Sequence, residues 1–214
     1  MGRIALFLEM EGRRCLVVGG GGAAFAKSEK LLGAGAEATV VSPVFMDGFD
    51  VLADRHPGRL RLEKRKYRVG EACGYNFVVA ATGNAVVDAS VADDAGKTGS
   101  LANIASLPDG GGCSLAAELH RGPVTVAVST SSASPPLAST LRDLAGDSIT
   151  PWHGLFAEAL GRVKERLGDA GMDGRTGRSV MRRLSSPETL RKLSGFGAID
   201  ELEKALWELA ETMR

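Results

Sequence analysis

Short apolar runs alternate with stretches of helical spacing along the first 130 residues of the chain. Runs rich in Val, Ile and Ala at 15–18, 38–41, 76–81, 101–104 and 124–128 have the continuous apolar character of buried strands. The segment 60–64 alternates apolar with charged residues, which is typical of a strand nearer a sheet edge. Residues 23–34 and 84–96 have the apolar spacing of helices. This alternation predicts an α/β fold with a doubly wound parallel sheet.

The pattern changes after residue 129. Ser134 precedes two prolines and is a suitable cap for a helix that runs to about residue 144. Beyond residue 151 only helical patterns occur, at 151–167, 176–184, 187–194 and 198–213. We therefore predict a boundary near 148–151 and a small all-helical C-terminal lobe after it.

The composition excludes several functional classes. The 214 residues carry 26 basic and 26 acidic side chains, whereas a dedicated nucleic-acid binder has a basic excess that neutralises phosphates. No apolar run approaches the roughly 18 residues that cross a bilayer, so we expect no membrane partner and a cytoplasmic protein. Glycine accounts for 28 residues, roughly twice its usual share, which indicates close approaches of the backbone.

Cysteine and histidine are scattered along the chain. Cys15, Cys73 and Cys113 form no CxxC pair, and we expect them to be small buried hydrophobic residues in a reducing compartment. The histidines at 56, 120 and 153 form no i, i+4 pair, so we predict no metal centre.

A glycine-rich turn follows the first predicted strand and leads into the first helix. Gly19, Gly21 and Ala24 fit the pattern G-x-G-x-x-A. Gly19 permits the tight turn, Gly21 lets the backbone approach a pyrophosphate, and Ala24 keeps the helix close to its strand. We therefore predict a Rossmann-like dinucleotide site, with cofactor contacts at Gly19, Gly20, Gly21, Gly22, Ala23 and Ala24.

Two other interpretations of this turn stay open. Residues 21–28 nearly match the phosphate loop G-x-x-x-x-G-K-[ST], but Ala26 stands where that loop needs its second glycine. Alternatively, the turn binds no ligand, although four successive glycines carry an entropic cost that a plain turn avoids.

The ends of the other predicted strands bear on the choice of cofactor. The segment 41–44 offers no acidic residue for the ribose hydroxyls and no Arg for a 2′-phosphate. Ser42 or backbone groups remain for the ribose, and we favour NAD over NADP. Thr82 and Asn103 follow two later strands at the edge where open α/β sheets bind ligands, so we predict cofactor contacts there. Helix capping is the other interpretation of Thr82.

A series of short motifs occurs in a fixed order along the chain. It comprises 6–8, 12–21, Lys27, 31–36, 39–41, 80–82, Asn103, 121–123 and 126–135. Over about residues 4–145 this series resembles the precorrin-2 dehydrogenase / sirohydrochlorin ferrochelatase family, the module of siroheme synthases. Residues 152–167 resemble the helical tail of that family.

The resemblance implies an NAD-dependent oxidation of precorrin-2 to sirohydrochlorin and, in some members, insertion of ferrous iron. It implies an NAD-binding domain at 1–112, a dimerisation and substrate segment of a homodimer at 113–148, and a helical domain at 149–214. It also implies cofactor contacts at Pro43 and Val44. The loop 129–135 corresponds to one beside the tetrapyrrole, which implicates Ser129, Thr130, Ser131 and Ser134 in substrate binding. The family has glycines where this chain has Ser131 and Ser132.

The chain departs from the family at the residue implicated in catalysis. The family usually has an Asp after its fifth strand, and Ser106 takes that place here. A serine of ordinary pKa is no carboxylate base near neutral pH. Asp109, which is otherwise a turn residue, and His120, which is otherwise a surface residue, are the remaining candidates for catalysis. Two alternatives stay open: a non-catalytic protein that binds dinucleotide and tetrapyrrole, and a chelatase without oxidation.

Overall fold

The computed structural model describes residues 2–107 and 111–213. The chain forms two compact units, Met1–Leu115 and Ala116–Arg214. The finer division predicted at 112 and 148 stays a prediction, as does the dimerisation segment. No helix in the described part of the chain is long and apolar enough to cross a membrane.

The first unit contains a five-stranded parallel sheet in the order β3-β2-β1-β4-β5. Its strands are β1 (Arg14–Val18), β2 (Glu37–Ser42), β3 (Leu60–Lys64), β4 (Phe77–Ala80) and β5 (Leu101–Ile104). Its helices are α1 (Gly22–Gly33), α2 (Phe49–Arg55) and α3 (Ala85–Thr98). The chain runs outward from β1 to β3 and then crosses back to β4, so the strand order reverses between β1 and β4. Open α/β sheets bind ligands at such a reversal.

Both faces of this sheet are covered by helices, as the doubly wound prediction requires. Side chains alternate along β1, so Cys15 and Val17 pack on the face of Leu31 in α1. Leu16 and Val18 pack on the opposite face with Val91 of α3. The near-continuous apolar sequence of β1 follows from this burial on both faces.

The second unit contains a two-stranded antiparallel sheet and five helices among its described residues. The strands are β6 (Ala117–Arg121) and β7 (Val124–Val128). The helices are α4 (Pro135–Ser148), α5 (Pro151–Asp169), α6 (Gly174–Leu184), α7 (Pro187–Leu193) and α8 (Ile199–Glu211). The predicted helical lobe is confirmed, and Leu202 and Leu206 of α8 lie in one core with Phe156 of α5 and Leu184 of α6.

Two expectations were wrong. The run 124–128 does not continue the parallel sheet, because it pairs with β6 through a connection of two residues, and so short a link joins only antiparallel strands. The sequence of β6 mixes apolar and charged residues and gave no strand signal. The three cysteines are not all buried either: Cys15 is, Cys113 is partly exposed, and Cys73 is exposed.

Candidate functional site

The glycine turn packs against two neighbouring strand ends. Gly19 has φ +128°, and a Cβ there would collide with the carbonyl oxygen of Ala81, just beyond β4. A Cβ at Gly20 would collide with the carbonyl oxygen of Val44, beyond β2. Both glycines are therefore required by the protein itself, because backbone from adjacent strands approaches them on either side.

Gly21 differs from its two predecessors because a Cβ there would meet no protein atom within 4 Å. It is the N-cap of α1, with φ −90° and ψ −176°, and no side chain caps that helix. A side chain at the N-cap of α1 would therefore enter open space, and the N–H groups and dipole of this helix N-terminus favour an anion. Ala24 is fully buried, as its role against the strand requires. The turn fits the pyrophosphate of a dinucleotide.

The phosphate-loop interpretation fails on Ser28. That loop needs the hydroxyl of its Ser or Thr on the Mg²⁺ ion of the bound nucleotide, whereas Ser28 is 0% exposed and donates to the carbonyl oxygen of Ala24 at 2.9 Å. The side chain of Lys27 donates to Asn103 Oδ1 at 2.7 Å, across the sheet on β5. Burial is the main cause that lowers the pKa of Lys27.

The end of β2 forms the outer wall of the predicted ribose region. The Ser42 hydroxyl donates to the Val44 carbonyl oxygen at 2.6 Å, so a direct bond from it to a ribose would have to replace this one. Pro43 is exposed, and the side chain of Val44 is 71% exposed. The predicted contacts at these residues remain a prediction.

A buried carboxylate lies behind the ends of β4 and β5. Asp88, in the first turn of α3, is 0% exposed. Its Oδ1 accepts from the Thr82 hydroxyl at 2.6 Å and from the Thr82 backbone N–H at 3.2 Å. Its Oδ2 accepts from the Ser106 hydroxyl at 2.7 Å. The position where the resembling family has an acid is therefore in direct contact with an acid from another element.

Thr82 and Asn103 are both engaged with protein groups. The Thr82 hydroxyl also accepts from the backbone N–H of Asn84, and Asn84 in turn caps α3 through Val86 and Val87. The amide of Asn103 accepts from Lys27 and donates to the Cys113 carbonyl oxygen at 3.3 Å. Their cofactor contacts stay predictions.

The predicted substrate loop belongs to the second unit and is held by its own hydroxyls. Thr130 Oγ1 donates to the Ser134 carbonyl oxygen at 3.0 Å, and Ser129 Oγ accepts from the Ser131 N–H at 3.2 Å. Ser134 caps α4, as predicted, by accepting from the Leu137 N–H at 3.3 Å. Ser131 and Ser132 have φ values of +52° and +69°, a region that favours glycine. Ser131 and Ser132 thus adopt the left-handed backbone conformation that favours glycine, at the two positions where the resembling family has glycines.

The structure describes two of the three predicted catalytic residues, one in each unit. Ser106 is exposed and bonds Asp88. His120 lies in the second unit on β6, 3.1 Å from Thr125 Oγ1 and 3.4 Å from a Glu118 oxygen. Asp109 lies outside the described residues. The sequence analysis missed Asp88, whose only local signal is an acid four residues after the helix cap Asn84.

Comparisons with known proteins decide the family. A family model described as "Putative NAD(P)-binding" matches residues 6–117, just over half of the chain. The chain belongs to this NAD(P)-binding family. The match covers the whole five-stranded sheet and the glycine turn, and it supports the predicted nicotinamide cofactor.

Members of the siroheme-synthase group are similar to this NAD(P)-binding chain along almost all of its length. The siroheme synthase of Methylococcus capsulatus is 34% identical over 212 residues, which cover 99% of this chain and 44% of that protein. Siroheme synthase 2 of Aeromonas salmonicida is 32% identical over 213 residues, with coverage of 99% and 42%. The resemblance inferred from the motifs is confirmed, and the chain spans less than half the length of these relatives.

A solved structure has the same fold. SirC, described as a precorrin-2 dehydrogenase, superimposes with a TM-score of 0.79 over 98% of this chain and 100% of its own, at 22% identity. This likeness confirms the Rossmann-like α/β architecture followed by a helical region.

Proposed function

We propose that this chain oxidises precorrin-2 to sirohydrochlorin with NAD⁺. The observation that carries the proposal is the open space at Gly21 before the uncapped N-terminus of α1, at the edge where the strand order reverses. The names of the similar proteins indicate the reaction: siroheme synthase for the similar sequences and precorrin-2 dehydrogenase for the similar fold. Bound NAD⁺ supplies a hydride acceptor.

NAD is favoured over NADP by the residues at the end of β2. A 2′-phosphate needs a cationic partner, usually Arg, at this position. The chain instead has Ser42, Pro43 and the exposed apolar side chain of Val44. Desolvating a phosphate against these groups without a paired cation is unfavourable.

The substrate contacts follow from the resemblance. Ser129, Thr130, Ser131 and Ser134 would bind the tetrapyrrole, whose carboxylates accept hydrogen bonds from hydroxyl and N–H donors. The homodimer, its interface at 113–148 and the cytoplasmic location belong to the same proposal. Among the catalytic candidates, Ser106 has direct support from its contact with Asp88, whereas Asp109 and His120 stay predictions. Iron insertion also stays a prediction.

The test follows the product and the reduced cofactor together. Purified protein is mixed with precorrin-2 and either NAD⁺ or NADP⁺, and the absorbance of NAD(P)H and of sirohydrochlorin is recorded against an enzyme-free control. We expect both products to appear with NAD⁺ and little with NADP⁺. Formation of sirohydrochlorin at the control rate would reject the proposed oxidation.

A second candidate is a protein that binds both ligands without turnover. The replacement of the family's acid by Ser106 favours it. This candidate predicts calorimetric binding of NAD⁺ and of the tetrapyrrole together with no reduced cofactor. Binding of neither ligand would exclude it.

A further inference from the structure

Asp88 is a buried acid in contact with two hydroxyls, of which the one on Ser106 belongs to an exposed residue. The residue itself is 0% exposed, while Ser106 is exposed at the carboxyl end of β5. The Ser106 hydroxyl lies 2.7 Å from Asp88 Oδ2. Thr82, the other hydroxyl on this carboxylate, uses its oxygen to accept the Asn84 N–H at 3.0 Å. Ser106 is therefore the group through which Asp88 faces a ligand.

The chemistry of the pair decides which atom carries the proton. An ionised carboxylate only accepts hydrogen bonds, so Ser106 must donate to Asp88. The serine proton then points inward, and the oxygen lone pairs are left for an outside donor. In the described part of the chain, Ser106 Oγ has no other hydrogen-bond partner. The surface at this position consequently offers an acceptor backed by a negative charge.

The pair also lies next to the cofactor turn. A Cβ on Gly19 would collide with the Ala81 carbonyl oxygen and come within 3.3 Å of the Thr82 nitrogen. That same nitrogen donates to Asp88 Oδ1 at 3.2 Å. The glycine turn, the carboxylate and Ser106 thus form one continuous series of contacts along the carboxyl edge of β1, β4 and β5.

We propose that Ser106 and Asp88 together accept the proton that leaves the substrate, an inference that rests on the oxidation proposed above. The oxidation breaks a C–H bond whose electron pair leaves as hydride and reduces NAD⁺ to NADH. A second hydrogen leaves the substrate as a proton. It bonds to Ser106 Oγ while the original Ser106 O–H bond breaks and that proton joins Asp88 Oδ2. Asp88 becomes neutral, and its proton returns through Ser106 to solvent after turnover.

This relay removes the chemical objection to a serine at the family's acidic position. A serine alone would become a strongly acidic oxonium on taking a proton. Because Asp88 accepts the hydrogen bond from Ser106, the serine is neutral before and after the step, and the carboxylate is the group that becomes protonated. Ser106 is then the residue that touches substrate, and Asp88 is a positioning and proton-accepting residue that acts through it.

Steady-state kinetics with precorrin-2 and NAD⁺ test the relay. We expect Asp88→Asn and Ser106→Ala to lower kcat about 100-fold or more, the usual contribution of a general base. The KM for precorrin-2 and the Kd for NAD⁺ should change by less than about threefold, because the lost interaction acts on proton transfer rather than on binding. Asp93→Asn is the matched control, since Asp93 is an exposed acid on the same helix, paired with Lys97.

A rescue variant separates proton transfer from a merely structural role. Asp88→Asn/Ser106→Asp moves the carboxylate to the surface position and leaves an amide behind it. The relay predicts that this double variant recovers at least about tenfold in kcat over Asp88→Asn, because a base again faces the substrate. A structural role for Asp88 predicts no recovery.

The outcomes distinguish this inference from the proposed function. A wild-type protein that forms no NADH from precorrin-2 overturns both. Turnover by the wild type combined with wild-type kcat in Asp88→Asn or Ser106→Ala overturns the relay alone, as does a double variant that folds and does not recover. If Asp88→Asn does not fold, Ser106→Ala measured against the wild type decides the question, and a wild-type kcat in that variant overturns the relay.

Discussion

Replacing Gly21 by Ala separates cofactor binding from folding. A Cβ at this position meets no protein atom within 4 Å, and the backbone, at φ −90° and ψ −176°, is one that Ala adopts freely. The added methyl group enters only the space before α1 that we assign to the pyrophosphate. The change therefore tests whether a ligand occupies that space.

Gly21→Ala should change the free energy of unfolding little, because two opposing effects nearly cancel, whereas nothing offsets its effect on the Kd for NAD⁺. Ala is a poorer N-cap than Gly, by about 0.5–1 kcal/mol, while removing a glycine from the unfolded chain returns about 0.4–1 kcal/mol. The free energy of unfolding should thus change by less than about 0.5 kcal/mol. Loss of one charged hydrogen bond to phosphate costs about 1.5–3 kcal/mol, so the Kd for NAD⁺ should rise roughly 10- to 150-fold.

Calorimetric titration of NAD⁺ and urea unfolding of the same preparations measure both quantities. Gly33→Ala, in the last turn of α1 with open space around it, is the matched control and should leave the Kd unchanged. Gly20→Ala should instead destabilise the fold by about 1–3 kcal/mol, because its Cβ would meet Val44 backbone and lie 2.7 Å from Ser42 Oγ. An unchanged Kd in Gly21→Ala would refute the assigned approach of the pyrophosphate.

Three further predictions concern the loop 129–135, the cysteine thiols and the stability of the protein at low pH. Ser131→Gly and Ser132→Gly should each stabilise the protein by up to about 1 kcal/mol in urea unfolding, since both serines have positive φ; a loss of stability would contradict this explanation. Iodoacetamide near pH 8 should modify the exposed Cys73 first, as read by mass spectrometry, because burial raises the pKa of the other two thiols to about 12 and about 11; equal labelling would be inconsistent with that burial. The hydrogen bond from Tyr67 lowers the pKa of Asp94, so the ionised Asp94 stabilises the folded protein above the ordinary pKa of 3.8, and this stabilisation is lost as the pH falls further. Tyr67→Phe should therefore make the free energy of unfolding fall less steeply with decreasing pH in acid. An acid unfolding profile identical to that of the wild type would contradict this role of the hydrogen bond.

Much of the fold was predictable because it is encoded in short-range patterns. Four strands of the parallel sheet follow from continuous apolar runs and β3 follows from alternating apolar and charged residues. The five later helices follow from apolar spacing and from caps such as Ser134. The glycine turn could also be predicted, because the strand before it and the helix after it are both evident in the adjacent sequence. β6 escaped prediction because its sequence is half polar, and only its pairing with β7 makes it a strand.

The catalytic region shows where local information ends. The sequence identified Ser106 as a departure from the family and sought its replacement nearby, at Asp109. The structure places a carboxylate from residue 88, on α3, against that serine, across 18 residues of chain. No periodicity links these two positions, because their contact depends on how α3 packs over the ends of β4 and β5.

The sequence by itself determined the strands of the parallel sheet, the five later helices, the cofactor turn and the family, because each depends on the spacing of residues a few positions apart. Only the tertiary structure decided which glycines the protein itself requires and which one faces open space. It also decided that the exposed serine is backed by a buried acid. Both facts arise from distances between separate elements, and those distances are set by the order of the strands and by the packing of helices on the sheet.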